Sequence, residues 1–346
     1  MKQLDLLLVN SSSHIGVYGK LSEFAAIEPP VWALLIARYC LNRGFSVEVL
    51  DAEAEGLTTS QTAARINDIR PRLVVFCVYG HQPSASTQCL PAAEETAKLV
   101  DGRIPTLALG THPSALPERT LREGPFNYVV KGEGPLTVTG LLEYLKVFKF
   151  DTEHQPQGIP GLWYKYNDQI LNSGLVPNIQ NLDEELPNQA WELLDMKRYR
   201  PHYHHFWTGK SGGGYASIQT SLNCVFSCNF CCISAPFSDR KMRFWSPENV
   251  VNQLDRLVNY FEITNVKIPD EMFCLNKRHV KDICSRIIKY GLGNQLNMWC
   301  YARVDSVRDP EMLDLMRKAG FRWLGIGIES ASSKIRNEIE KGRFRD

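Results

Sequence analysis

The sequence predicts an α/β protein of two units, a doubly wound Rossmann-like domain followed by a partial (β/α) barrel. Three observations predict it. Short apolar runs alternate five times with helically spaced segments between Leu4 and Val147; three cysteines share one loop at a strand end, Cys224-x-x-x-Cys228-x-x-Cys231; and the βα rhythm resumes after them. The chain divides accordingly into 1–147, a linking stretch 148–213 with a small hairpin, and 214–346. At 346 residues it is long enough for each unit to bury a core of its own.

In the first unit Leu4 to Asn10, Ser46 to Asp51, Leu73 to Tyr79, Thr106 to Gly110 and Tyr128 to Lys131 are short and apolar, as parallel strands covered on both faces are. Between them Val31 to Arg43, Ser60 to Ile69, Ser86 to Leu99, Ser114 to Arg122 and Pro135 to Val147 carry apolar residues at helical spacing. Such sheets bind ligands beyond the carboxyl ends of their strands. The ends Asn10-Ser11-Ser12-Ser13, Gly110-Thr111-His112-Pro113 and Gly132-Glu133-Gly134-Pro135 are therefore expected to line one crevice. The dinucleotide fingerprint G-x-G-x-x-G is missing after the first strand, where Ser11-Ser12-Ser13-His14-Ile15-Gly16 stands, so NAD or FAD is not expected there. Taken alone, Gly132 and Gly134 read as turn glycines and His112 as a hydrogen-bonded loop histidine.

The middle reads as connection rather than core. Gly161 to Leu171 predicts a hairpin around Asn167-Asp168, and Leu182 to Arg200 leads into the second unit, with Trp191, Leu194 and Met196 packing at the junction. His202, His204 and His205 lie in an aromatic stretch without companion carboxylates and read as solvated or interface residues rather than metal ligands.

Composition narrows the function classes. With 39 basic against 38 acidic residues, no charge excess favours nucleic acid or a membrane surface. No apolar run reaches the ~20 residues a membrane span needs. The apolar run at Leu4 is too short for a secretion signal, and ten cysteines without one suggest a reducing cytoplasm, where thiols are core residues or ligands.

The second unit starts with Tyr215 to Thr220, which alternates like a strand and ends at the cysteines. Helix Pro247 to Tyr260, strand Asn265 to Ile268, helix Lys277 to Tyr290, strand Asn297 to Ala302, helix Pro310 to Ala319, strand Trp323 to Ile328 and helix Lys334 to Glu340 follow. A complete barrel takes ~250 residues, more than remain after Tyr215, so an open wall or a fragment of a longer protein is expected. Structural zinc wants four protein ligands; Cys232 adjoins Cys231 and diverges from it, and Cys274, Cys284 and Cys300 read as buried free thiols. A [4Fe-4S] cluster with one iron open to a ligand fits three thiolates better.

Cys224-x-x-x-Cys228-x-x-Cys231, with Phe230 before the last cysteine, resembles the signature of the radical S-adenosylmethionine enzymes. Lys267 to Phe273, Tyr301 to Asp305 and Gly325 to Ser330 resemble the later strands of the subgroup that carries an N-terminal cobalamin-binding domain, and the loops Gly110 to Pro113 and Val130 to Gly134 resemble loops of that domain. The resemblance implies a [4Fe-4S] cluster on Cys224, Cys228 and Cys231 whose open iron chelates S-adenosylmethionine. Backbone near Phe230 would receive the adenine, Asp270 and Glu271 the methionyl amine, Arg303 the carboxylate, and Glu329 or Ser330 the ribose. It implies cobalamin beside Asn10, Ser11, Ser12, Tyr79, Gly110, Thr111, His112, Gly132, Glu133 and Gly134. The D-x-H-x-x-G motif that puts a histidine on cobalt in some relatives is missing, so cobalt is expected to be free of His14 and His112.

The activity implied is one-electron cleavage of S-adenosylmethionine to a 5′-deoxyadenosyl radical that attacks an unactivated carbon, with methyl transfer from cobalamin. A radical cyclase or oxidoreductase without net methylation, or a non-catalytic metal- or cobalamin-binding regulator, are the alternatives. A flavodoxin- or ferredoxin-type electron donor is implied, with a small-molecule or carrier-bound substrate. Tyr199 to Trp207 and Asp270 to Val280 resemble members found with glycan pathways.

Overall fold

The computed structural model describes residues 3–80, 85–148, 150, 154–201 and 214–341. The histidine run at 202–205, most of the Tyr199 to Trp207 stretch and residues 342–346 lie outside the described residues.

Chain order in the first unit is β1 (Leu6–Asn10), α1 (His14–Tyr18), α2 (Val31–Leu41), β2 (Val47–Asp51), α3 (Thr59–Ile69), β3 (Leu73–Val78), α4 (Ser86–Lys98), β4 (Thr106–Gly110), α5 (Thr111–Ala115), α6 (Pro117–Glu123), β5 (Tyr128–Val130) and α7 (Pro135–Val147). Two differences from the expected elements have local causes. The single helix expected over Ser114 to Arg122 is two, because Pro117 drives Leu116 out of the helical region, to φ −131° and ψ 55°. The loop after β1 is not bare: it folds into α1 and a 3-10 turn, Gly19–Phe24.

The strands pair in the order β2-β1-β3-β4-β5, all parallel. Leu6, Leu8, Val75 and Cys77 pack on one face with Ile36, Ala37, Val138 and Leu141 of α2 and α7. Leu7, Val9, Val74 and Phe76 pack on the other with Ile66 and Ala93 of α3 and α4. This two-faced burial explains the continuous apolar runs in the sequence. The order is that of a doubly wound sheet whose direction of winding switches between β1 and β3.

The hairpin forms, as β6 (Leu162–Tyr166) and β7 (Gln169–Asn172), with Asn167 and Asp168 at φ 47° and 60° in its turn. It is not a free connection, however. β6 pairs antiparallel with β5, extending the sheet to seven strands. Beyond it α8 (Leu182–Glu185) starts a stretch in which Leu182, Leu186, Ala190 and Trp191 are almost fully buried. The expectation of connection rather than core fails here because the partners that bury these residues come from distant parts of the chain.

The second unit comprises β8 (Gly214–Ser217), β9 (Ser221–Leu222), β10 (Arg243–Phe244), α9 (Pro247–Asn259), β11 (Ile263–Ile268), α10 (Lys277–Lys289), β12 (Asn297–Arg303), α11 (Pro310–Lys318), β13 (Phe321–Gly327) and α12 (Ser333–Glu338). Its parallel sheet runs β13-β12-β11-β8 and is open at both edges among the described residues, as a partial (β/α) barrel should be. Ser246 before Pro247 and Asp309 before Pro310 accept bonds from Asn249 and Met312, capping α9 and α11 where side-chain oxygen followed by proline favours a helix start.

One helix joins the units. Eight of the eleven residues of α2 are buried: Ala33, Ile36 and Ala37 face the first sheet, whereas Leu34, Leu35 and Tyr39 share a core with Leu182, Trp191, Tyr215 and Ile218. Charge pairs reinforce this junction. Arg243 on β10 sets Nη2 2.6 Å from Oε1 and Nη1 3.1 Å from Oε2 of Glu133, with side chains 4% and 5% exposed. Lys267 on β11 places Nζ 2.9 and 3.0 Å from the two oxygens of Glu28. Tyr199 Oη donates to Asp51 Oδ2 at 2.9 Å.

Removing one member of a buried pair strands the other charge, at a cost of roughly 3–5 kcal/mol, whereas replacing both with apolar groups is near neutral or better. Arg243→Ala is therefore expected to lower the unfolding free energy by about that amount in a denaturant titration, and Glu133→Leu/Arg243→Met to lower it by much less than the single change. Equal losses would show that the pair does not set the junction.

Candidate functional site

The cysteine loop is an excursion between β9 and β10, which pair antiparallel through Leu222 and Arg243 and so close its base. Asn223 makes the first turn at φ 80°, and its Nδ2 donates to Asp239 O at 2.6 Å and to Lys241 O at 3.3 Å, tying the start of the loop to its end. Its Oδ1 accepts from Cys224 N at 2.7 Å. Cys231 N donates to Cys228 O at 3.0 Å, a turn that brings the second and third thiols to one side. Asn229 holds the loop against the end of α12 through Ile339 O and Glu338 O.

Cys224, Cys228 and Cys231 line one cavity of about 270 Å³ with Phe226, Phe230 and Glu271. Arg303, Tyr301, Glu329 and Lys341 close its far side. Three thiolates on one loop suit an iron-sulfur cluster, in which each can bind a different iron. Burial pushes the Cys224 and Cys231 thiols up, which a cationic iron centre would reverse.

Glu271 is the polar feature of this cavity. Burial first, then the nearby Asp270 carboxylate, raises its carboxyl to about 8, against the partly offsetting pull of backbone N–H groups and Arg243. Its Oε2 is enclosed without a hydrogen-bond partner. A carboxylate so placed is short of a cation, and an ammonium group delivered by a ligand would satisfy it. Asp270, its neighbour, faces the other way. It accepts from Thr220 N at 2.7 Å, Thr220 Oγ1 at 2.6 Å and Ser221 Oγ at 2.7 Å, fixing the approach to the cysteine loop.

The remaining expected residues divide similarly. Phe230 lies in the cavity wall and is 55% exposed. Arg303 lines the cavity, but Nε and Nη2 grip Asp305 at 3.0 and 3.1 Å, Nη1 donates to Lys341 O, and the guanidinium lies 4.0 Å over the Phe226 ring. It braces the loop as much as it faces a ligand. Glu329 bonds Lys341 Nζ at 2.7 Å across the cavity rim, a partner the sequence reading missed. Ser330 lies outside the cavity lining and its Oγ accepts from Ser332 N.

A second cleft, about 70 Å³, opens where the winding of the first sheet switches. Asn10 at the end of β1 and Cys77, Tyr79 and Gly80 at the end of β3 form its floor. Glu28 to Ala33 form one wall, with Tyr79 stacked on Trp32 at 5.4 Å between ring centres. Gln219 and Pro269 of the second unit complete it. Pro269 also lines the cysteine cavity, so the two spaces abut through one residue.

Of the ten residues expected at this cleft, Asn10 and Tyr79 line it; the other eight are not among its described lining residues. Each has another task or a covered position. Gly110, at φ 143°, lies where a Cβ would come within 2.1 Å of Val78 O, and a Cβ on Gly132 would meet Val176 Cγ1 at 2.3 Å. Gly134, at φ 108°, admits the start of α7 close to Ile36. Glu133 holds Arg243 and Ile179 N. Thr111 is fully buried, Ser11 nearly so, and Ser12 half-buried. His112 bonds Thr87 Oγ1 through Nδ1 at 2.9 Å. Ser13, at the strand end expected to line the crevice, does so, whereas Glu28, Trp32, Glu53, Cys89 and Gln219, missed from the sequence, come from segments whose approach depends on long-range packing.

Residues 21–142 match the B12 binding domain family and residues 218–346 the Radical SAM superfamily. An uncharacterized methyltransferase of Pyrococcus horikoshii is 32% identical over 318 residues, covering 91% of this chain and 63% of its own length. The anaerobic magnesium-protoporphyrin IX monomethyl ester cyclase of Cereibacter sphaeroides is 25% identical over 318 residues, 90% of this chain and 48% of its own. The chain thus spans 48% to 63% of the length of these two relatives. The fold superposes on the methyltransferase TsrM of Kitasatospora setae, solved with cobalamin and a [4Fe-4S] cluster, with a TM-score of 0.72 at 19% identity, over 100% of this chain and 63% of that one.

A carboxyl raised on folding binds more protons in the folded than in the unfolded chain between its two values. Glu271 therefore lowers stability as pH climbs from its ordinary 4.5 to about 8. In metal-free protein, the unfolding free energy of Glu271→Gln relative to the unaltered chain is expected to rise across that window; two parallel pH profiles would refute the raised carboxyl.

Proposed function

We propose that this chain, which carries a B12 binding domain followed by a Radical SAM domain, works as a cobalamin-dependent radical S-adenosylmethionine enzyme, a methyltransferase acting on an unactivated carbon. The observation that carries this reading is the meeting of a three-cysteine cavity and a switch-point cleft at Pro269. A cluster and S-adenosylmethionine in the first would supply one-electron chemistry, and cobalamin in the second a transferable methyl group.

The chain's own work is holding and orienting. Cys224, Cys228 and Cys231 hold the cluster on a loop tied at its base by Asn223. Glu271 takes the methionyl ammonium on its unpartnered oxygen. Phe230 offers an exposed ring and adjacent backbone to the adenine, and Glu329 with Lys341 forms a polar rim suited to ribose or carboxylate oxygens. Arg303 keeps Phe226 and the loop in register through Asp305. Asn10, bonded to Asp51 at 2.8 Å, and Tyr79 floor the cobalamin cleft. His14 Nδ1 is engaged by Glu53 at 3.0 Å, and cobalt is taken to be free of a histidine because the D-x-H-x-x-G motif is missing. The substrate is a small molecule, free or carrier-bound, and electrons come from a flavodoxin- or ferredoxin-type donor. Among the described residues no helix is long and apolar enough to cross a membrane.

Radical cyclisation without net methylation is the second reading, favoured by the cyclase among the relatives. Under reduction with S-adenosylmethionine, a methyltransferase is expected to yield S-adenosylhomocysteine beside 5′-deoxyadenosine, a cyclase the second product alone. Cys228→Ala, assayed for iron and sulfide after anaerobic reconstitution, is expected to lose the cluster and all cleavage; a full cluster in that variant would sink the ligand assignment.

A further inference from the structure

The switch-point cleft contains a residue whose chemistry nothing so far accounts for. Most polar side chains lining it are already engaged within the protein. Asn10 Nδ2 donates to Asp51, Ser13 Oγ to Glu53, Glu53 holds His14, and Glu28 holds Lys267. Two atoms differ: Tyr79 Oη, from the first unit, and Gln219 Oε1, from the second, are enclosed without a hydrogen-bond partner. Gln219 is 4% exposed. An acceptor buried without a partner costs about 1–3 kcal/mol, so such an atom needs an explanation, and a bound ligand is one.

Gln219 is also held still. On one side Ile218 N donates to Lys267 O at 3.0 Å; on the other Thr220 N donates to Asp270 Oδ1 at 2.7 Å, and Trp245 N to Thr220 O at 3.1 Å. The amide therefore meets the cleft from a fixed backbone, as a preorganised contact should. A hydroxyl that donates and an amide oxygen that accepts are together the complement of a primary carboxamide, which offers one C=O and two N–H groups.

We propose that Gln219 binds a peripheral carboxamide of the corrin ring, its Oε1 accepting an amide N–H, so that the second unit contributes directly to cobalamin binding. This rests on the cobalamin reading of the cleft. The occupant is then clasped between the units, and its identity is sensed by the residue that leads into the cysteine loop.

Hydroxocobalamin titrated into the full chain and followed by visible absorbance tests both readings. Gln219→Leu and the near-isosteric Gln219→Met are each expected to weaken binding about tenfold. Cobalamin monocarboxylic acids, in which one peripheral amide is a carboxylate, provide the second arm. The unaltered chain is expected to reject at least one isomer about tenfold, because a carboxylate has no N–H to donate, and the Gln219 variants are expected to lose that preference. Thermal unfolding midpoints and far-ultraviolet circular dichroism report whether the variants are folded. If the unaltered chain binds hydroxocobalamin and no isomer is rejected, or if rejection persists in folded Gln219 variants, the proposal is overturned while the cobalamin reading stands. If the unaltered chain binds no cobalamin, both fall together.

Discussion

The pairing of Arg243 with Glu133 is the constraint on which the arrangement of the sites depends. Arg243 lies on the short strand that closes the base of the cysteine loop, and Glu133 lies between the two glycines at the end of β5. One ion pair thus fixes where the cysteine loop emerges relative to the first sheet. Ile179 N also donates to Glu133 at 2.8 Å, drawing the segment after the hairpin into the same junction. Two charges removed from water are a weak source of stability on their own, and their value here is in geometry: an apolar contact would tolerate sliding that a bidentate guanidinium–carboxylate pair does not.

The turn from Pro269 to Glu271 divides labour among three adjacent residues. Pro269 faces both cavities, Asp270 turns back to Thr220 and Ser221, and Glu271 points into the cysteine cavity. Asp270 is itself raised, to about 6, by burial against the lowering effect of its hydroxyl and amide donors. A buried carboxylate in a structural role therefore lies beside one facing a ligand cavity. Their different surroundings, full satisfaction against an unpartnered oxygen, separate the two roles where sequence adjacency suggests a shared one.

The layers of both sheets were legible in the sequence because each strand and helix carries its own period, and the cysteine loop because its spacing is local. What could not be read was whatever depends on a partner far along the chain. Glu133 beside two loop glycines looked like part of a ligand loop, yet its partner is 110 residues away. The hairpin around Asn167-Asp168 was evident, its attachment to β5 was not. Gly110 and Gly132 were read as strand-end and turn glycines, and the close packing against Val78 and Val176 that also calls for glycine there had no local sign. Gln219, one residue before the strand end that signals the cysteine loop, offers no local pattern at all.

Helix α2 carries a consequence for how the protein holds together. With Ala33, Ile36 and Ala37 in one core and Leu34, Leu35 and Tyr39 in another, neither unit possesses a complete hydrophobic interior without it. An excised first unit would present one side of that helix to water, and an excised second unit would lack a wall. The stabilities of the two units are thus tied together: loosening either core uncovers apolar surface of the same helix.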